Sequence, residues 1–183
     1  MSLQDKKYRP VKRFSCLYYF PLILLYVLLF TIYSACTYSF KGGSVPPHLK
    51  TIAIPILEDQ SGYGDPMLRD SFTQKLVESF TNDNTLQLMD RNTADSMLEG
   101  VISDVTDIPV VLEGGEEVSE RRVTVTIRMT YQDLKLRKKI WEKTFSNWGN
   151  YQSGGGLTQR NDGVQEAIRK LTEDILNATV SGW

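Results

Sequence analysis

Histidine occurs once in this 183-residue sequence and cysteine twice. The histidine, His48, sits beside Pro47 in a stretch rich in glycine and proline, and Cys16 and Cys36 both precede the first patterned element. From residue 51 onward the chain therefore has no Cys–His pair, no histidine-rich metal site and no internal disulfide to draw on. Its stability must come from burial. Charge is missing as well: residues 14–40 contain no Asp, Glu, Lys or Arg, whereas Lys6, Lys7, Arg9, Lys12 and Arg13 crowd the preceding stretch against Asp5 alone. A cationic start before an apolar run fits a secretory signal with its short apolar core, and it also fits a membrane span of about 20 residues. Pro21 lies inside the run. In a regular helix interior it would cost about 3 kcal/mol, which a discarded segment tolerates better than a permanent anchor.

The small residues Ser34 and Ala35 directly before Cys36 resemble a lipobox, in which the thiol is acylated and the chain is cut just ahead of it. Tyr33 departs from the Leu usual at its position. On this reading residues 1–35 are a lipoprotein signal peptide, 36–50 a lipidated tether and 51–183 the folded domain. The alternative is an uncleaved anchor. Either way the bulk of the protein lies outside the cytoplasm. Cutting before Cys36 removes five of 21 basic and one of 22 acidic residues, leaving 16 against 21, a formal charge of −5 over 148 residues. That balance argues against a nucleic-acid partner, and the length suffices for one sizeable core.

The pattern of the domain alternates. Residues 51–57 read as a short strand with Ile52, Ile54 and Ile56 on one side and Pro55 marking an edge or an end. Asp65 is placed to cap a helix with Pro66 in its first position and a stripe of Leu68, Phe72, Leu76, Val77 and Phe80; residues 82–84 stop it. A second short strand follows at 86–89, which as strand–helix–strand implies a parallel crossover if the two strands share a sheet. After a turn at 92–95, residues 97–108 alternate with Leu98, Gly100 and Ile102 on one side. Residues 109–120 turn the chain. The clearest strand then sets Val123, Val125, Ile127, Met129 and Tyr131 against Arg122, Thr124, Thr126, Arg128, Thr130 and Gln132, one buried face and one wet face. Residues 135–139 form a basic hairpin turn and 140–148 the return strand. The glycines at 154–156 precede a closing helix lined by Val164, Ala167, Ile168, Leu171, Ile175 and Ala178, with Asp162 and Gln165 as a weak capping pair. The order β-α-β-β-β-β-α, with two amphipathic helices able to cover one face of one mixed sheet, predicts a two-layer α+β sandwich.

Chemistry is sparse in this framework. The serines have no base at a recognisable spacing, and the glycine-rich stretch 153–160 lacks the Gly-Lys-Ser/Thr ending of a phosphate loop. Glu113, Glu116, Glu117 and Glu120 read as a solvated loop tip rather than a cation site. No catalytic residue, metal or cofactor is expected.

The stretch 36–59, CTYSFKGGSVPPHLKTIAIPILED, the helix at 68–80, LEGVISDV at 98–105 and the closing helix together resemble the lipopolysaccharide-assembly lipoprotein family LptE, in the form associated with the Bacteroidetes and Chlorobi. The resemblance covers residues 36–180 and rests on strand patterns rather than a catalytic signature. It implies a non-enzymatic lipoprotein of the Gram-negative outer membrane, facing the periplasm through a lipidated Cys36. Such a protein sits as a plug in the β-barrel partner LptD and helps deliver lipopolysaccharide to the surface. The wet face of Thr, Arg and Gln suits the polar interior of a large barrel, and it would equally suit plain water. The start of the domain also resembles lipoproteins of the curli-secretion and penicillin-binding-protein-activator type, in which helices and strands continue to alternate. A periplasmic hydrolase would need a base and a nucleophile that are not evident. Candidate contacts for lipopolysaccharide phosphates are Lys135, Arg137, Lys138 and Lys139 at the hairpin, extended by Arg121, Arg122 and Arg128 along the preceding strand. A solvated run that keeps a strand edge from pairing is the competing reading.

Overall fold

A computed structural model describes residues 45–110, 120–154 and 156–181. Eight elements follow one another: β1 (Thr51–Ala53), β2 (Glu58–Asp59), α1 (Leu68–Asp83), β3 (Gln87–Leu88), β4 (Ser96–Val110), β5 (Glu120–Asp133), β6 (Lys138–Gln152) and α2 (Gly156–Val180). The strands form one sheet in the order β3-β1-β4-β5-β6, with β2 pairing β4. It is mixed. β1 runs parallel to β3 and β4, while β4, β5 and β6 are successive antiparallel neighbours. Both helices lie on one face, giving the expected α+β layers.

The core follows from the alternation on β5. Val123, Val125, Ile127, Met129 and Tyr131 are fully buried, and they meet Leu68, Phe72, Leu76 and Phe80 of α1 and Val164, Ala167, Ile168, Leu171 and Ile175 of α2. Each such aliphatic or aromatic side chain contributes ~1.5–3 kcal/mol by leaving water. Asn84, at φ 56°, ends α1 in the left-handed conformation that a short polar side chain tolerates.

Several local expectations are corrected. The strand at 51–57 breaks at Pro55: Ile56 is 64% exposed and Leu57, 1% exposed, takes the inward position. Register explains the exchange. Ala53 lies opposite Met97 and Glu58 opposite Val101, so five steps on one side span four on the other. One extra residue flips the alternation. The freed Leu57 N–H donates to Thr73 Oγ1 at 3.1 Å. Asp65 does not cap α1 directly, since Met67 holds the cap position without a side-chain bond, and Asp65 accepts from Met67 N–H at 2.9 Å one turn earlier. Val77 is half-buried. In α2 the helix starts at Gly156, so Asp162 and Gln165 lie within it, and Thr179 rather than Ala178 faces the core. The Thr179 hydroxyl is accommodated there by donating to the Ile175 carbonyl at 2.7 Å.

Two glycines sit at close approaches, one between β6 and α2 and one between neighbouring strand segments. A Cβ on Gly149 of β6 would stand 2.0 Å from the carbonyl oxygen of Gly163 in α2. At Gly100 of β4 the space is taken by Met129 Sδ and Leu57 Cδ2, at 2.4 and 2.7 Å from a Cβ built there.

Candidate interaction surfaces

The face of the sheet away from the helices carries the polar half of each long strand. Arg122, Thr124, Thr126, Arg128 and Thr130 of β5 lie opposite Ile108, Thr106, Asp104, Val101 and Glu99 of β4, and opposite Asn150, Trp148, Ser146, Thr144 and Glu142 of β6. Short hydroxyl side chains dominate its middle, where Thr126 Oγ1 and Ser146 Oγ meet at 3.0 Å. At one end Arg122 donates to Asn150 Oδ1 and lies 4.0 Å above the Trp148 ring, beside the exposed Ile108. At the other, Arg128 is exposed in a shallow cleft of about 400 Å³ with Arg91, Glu58 and Glu99.

The seven candidate cations do not form one cluster. Arg121 and Arg122 stand at the start of β5 and the basic hairpin follows its end, about 40 Å apart at ~3.3 Å per residue. Their neighbours differ as well. Arg121 points to the helix side, where it donates to Asp107 Oδ1 at 3.0 Å; Asp107 Oδ2 accepts from Tyr151 Oη at 2.7 Å and Arg160 Nε at 3.1 Å. Arg160 lies 4.5 Å over the Tyr63 ring. One carboxylate thus ties three strands to α2 and to the loop ahead of α1. Burial, reinforced by the bond to Asp107, pushes the Tyr151 phenol upward, so it remains a donor at neutral pH. Sequence reading missed this network. Plain alternation from Leu98, Gly100 and Ile102 puts Asp107 on the opposite, polar side; the irregularity between Ile102 and Asp104 turns it inward, opposite Val123.

At the hairpin end the cations divide again. Lys135 is engaged: its Nζ lies 2.7 Å from Asp95 Oδ1 and donates to the His48 carbonyl at 3.1 Å. Asp95 also accepts the backbone N–H groups of Lys50 and Thr51. The Lys135 bond, helped by those N–H groups against the effect of burial, holds the Asp95 carboxyl at about 2. His48 Nε2 lies 2.6 Å from Asp133 Oδ2, and Asp133 Oδ1 accepts Leu136 N–H. Burial raises the Asp133 carboxyl, but the bonds from Leu136 and His48 outweigh it and the group ends lowered. The segment leading into β1 is therefore latched onto the β5–β6 turn. Lys139 pairs with Glu142 at 2.6 Å, whereas Arg137 and Lys138 have no acidic partner among the described residues.

Asp95 makes acid stability testable here. Its folded value lies below the ordinary 3.8, so its contribution is complete above about pH 4 and is lost as pH falls toward 2. Discounted for screening, the loss is about 1–2 kcal/mol. Asp95→Asn should remove that amount at neutral pH and flatten the acid limb of stability measured by urea unfolding between pH 5 and 2.

Cys36 and Glu113, Glu116 and Glu117 lie outside the described residues. Among the described residues no helix is long and apolar enough to cross a membrane, and no three His, Cys, Asp or Glu side chains gather as metal ligands.

Residues 49–179 match the family described as "LptE: Lipopolysaccharide-assembly". The chain belongs to the LptE family. No curated protein matches the sequence. Solved structures show the same fold at low identity. A minor lipoprotein from Acinetobacter baumannii is 19% identical with a TM-score of 0.50, over 75% of this chain and 94% of that one. A protein from Xanthomonas campestris is 11% identical with a TM-score of 0.53, over 75% and 89%. A hypothetical protein from Chlamydia trachomatis is 10% identical with a TM-score of 0.50, over 72% and 98%. This LptE-family chain is thus a lipopolysaccharide-assembly protein.

Proposed function

We propose that this protein is a lipoprotein of the outer membrane, anchored through acylated Cys36 and facing the periplasm, that seats in the lumen of the β-barrel LptD and assists delivery of lipopolysaccharide. It works as a scaffold, not an enzyme. The observation that carries this reading is the helix-free face of β4, β5 and β6, whose short hydroxyl side chains and paired charges match the polar lumen of a wide barrel. Three long strands in succession before one terminal helix also favour it over the curli-secretion or penicillin-binding-protein-activator type. A plug of this kind buries much of that face, on the scale of about 2,000 Å² or more found in obligate complexes. The association should survive detergent extraction.

Affinity purification from solubilised membranes tests the reading. A large β-barrel should co-purify with the wild type. Thr124→Lys combined with Thr126→Lys, on the wet face, should reduce its recovery at least tenfold while leaving the fold intact. Recovery of peptidoglycan synthases or a secretion pore without a barrel would move the assignment to the alternative class. Intact mass of the same sample reads the N-terminus: an acylated chain beginning at Cys36 is expected, and an unprocessed Met1 terminus would refute the lipoprotein assignment.

A further inference from the structure

We propose that the β5–β6 turn is a membrane-docking tip, with Leu136 entering an anionic phospholipid surface and Arg137, Lys138 and Lys139 meeting its headgroups. Two independent observations converge on it. The first is composition at the tip. Leu136 is 66% exposed at the apex of a turn, an unusual place for a large aliphatic group, and it is followed by three exposed cations. An apolar side chain ringed by Lys and Arg is the chemistry of a surface apolar just below and anionic at its boundary. A turn that only needed solubility would gain nothing from Leu136.

The second is the route of the chain. His48 and Lys50 are fixed beside this turn by Asp133, Lys135 and Asp95, and Val45 packs against the core just before them. Nine chain steps lead from Cys36 to Val45, a reach of at most about 30 Å. A chain anchored at Cys36 thus leaves the latched turn within tether reach of the bilayer. A basic patch beside a lipid anchor supplies a second attachment to an anionic surface.

Partnering sorts the cations. Lys135 is committed to the latch, and Arg137 and Lys138 are available. Arg137 holds the turn at φ 51°, a conformation that glycine adopts at no steric cost. Its side chain is thus dispensable to the fold and separable by mutation. The same cations are candidates for lipopolysaccharide phosphates; Leu136 and the tether route favour the phospholipid surface, and the experiment distinguishes the two.

The inference rests on the anchored reading of residue 36. The membrane-extracted protein carrying Cys16→Ser and Leu136→Cys is labelled with an environment-sensitive fluorophore and placed in nanodiscs of phosphatidylcholine alone or mixed with phosphatidylglycerol. The same protein without the Leu136→Cys change gives the background, and intact mass reports the N-terminus separately. A retained segment 1–35 would overturn lipidation yet leave the fluorescence readable. A blue-shifted emission is expected in the mixed discs only, weakening as salt rises. Changing Arg137, Lys138 and Lys139 together to Gln should lower the docked fraction relative to the undocked one by about 25-fold or more, from a factor of about five for each of the two unpaired cations at an anionic surface. Arg137→Gly should lower it about fivefold with unfolding unchanged. Emission equal in both discs, a shift that survives the triple change, or a shift that appears only when lipopolysaccharide is added overturns the proposal.

Discussion

Gly149→Ala is expected to destabilise the domain by about 3 kcal/mol or more, a large share of the ~5–15 kcal/mol that holds a domain of this size. The added methyl would stand 2.0 Å from the Gly163 carbonyl oxygen, which is backbone and cannot swing aside. Either α2 lifts from β6 or β6 bends away from β5. Both movements uncover Val123, Val164 and Ile168, which are now fully or nearly fully buried. Gly163→Ala is the informative comparison. There the new methyl would meet Tyr151 Cδ1 at 3.2 Å, a side-chain contact that relaxes by small shifts, and the helix recovers up to about 1 kcal/mol in propensity. Its net effect should be within about 1 kcal/mol of zero. Urea unfolding of the two variants measures the difference, and equal midpoints would show that the two elements do not meet as described.

Removing the carboxylate in Asp107→Ala should cost about 2–4 kcal/mol. Asp107 is 15% exposed and is the acceptor for Arg121, Arg160 and Tyr151 together. Without it two guanidinium groups face one another in a half-buried site, and the phenol loses its acceptor. Breaking a buried charge pair from one side costs about 3–5 kcal/mol, and the partial exposure of both arginines, 34% each, lowers the figure here. A double-mutant cycle with Arg160→Ala should return a coupling of at least 1 kcal/mol. Hydrogen exchange should show α2 opening first at its N-terminal turns, where Arg160 is attached. An effect below 0.5 kcal/mol would mean that the network is solvated and holds nothing together.

How much of this was legible in the sequence depends on the range of the interaction involved. Periodicity determined β5, both helices and their buried stripes, because alternation at two residues and recurrence at 3.6 report which side chains leave water. The hairpin turn expected at 135–139 was equally plain from its charge, and the structure sets it at 134–137. The family was readable from the strand patterns and the closing helix. Tertiary structure decided what depends on register and on approach between distant segments. Pro55 was visible in the sequence, but only the pairing of β1 and β2 with β4 shows that it adds one residue and exchanges Ile56 for Leu57 in the core. Gly149 and Gly163 sit in unremarkable surroundings until α2 is laid across β6. The seven candidate cations read as one extended run because the sequence places them near one another, whereas a strand lengthens that run by ~3.3 Å at each residue and sets Arg121 and Arg137 at opposite ends of the sheet. Lys135 and Arg137, two residues apart, differ because folding brings Asp95 from 40 residues away to one and no acid to the other. Local pattern is set by neighbours along the chain. Partnership is set by neighbours across it, and only the fold supplies those.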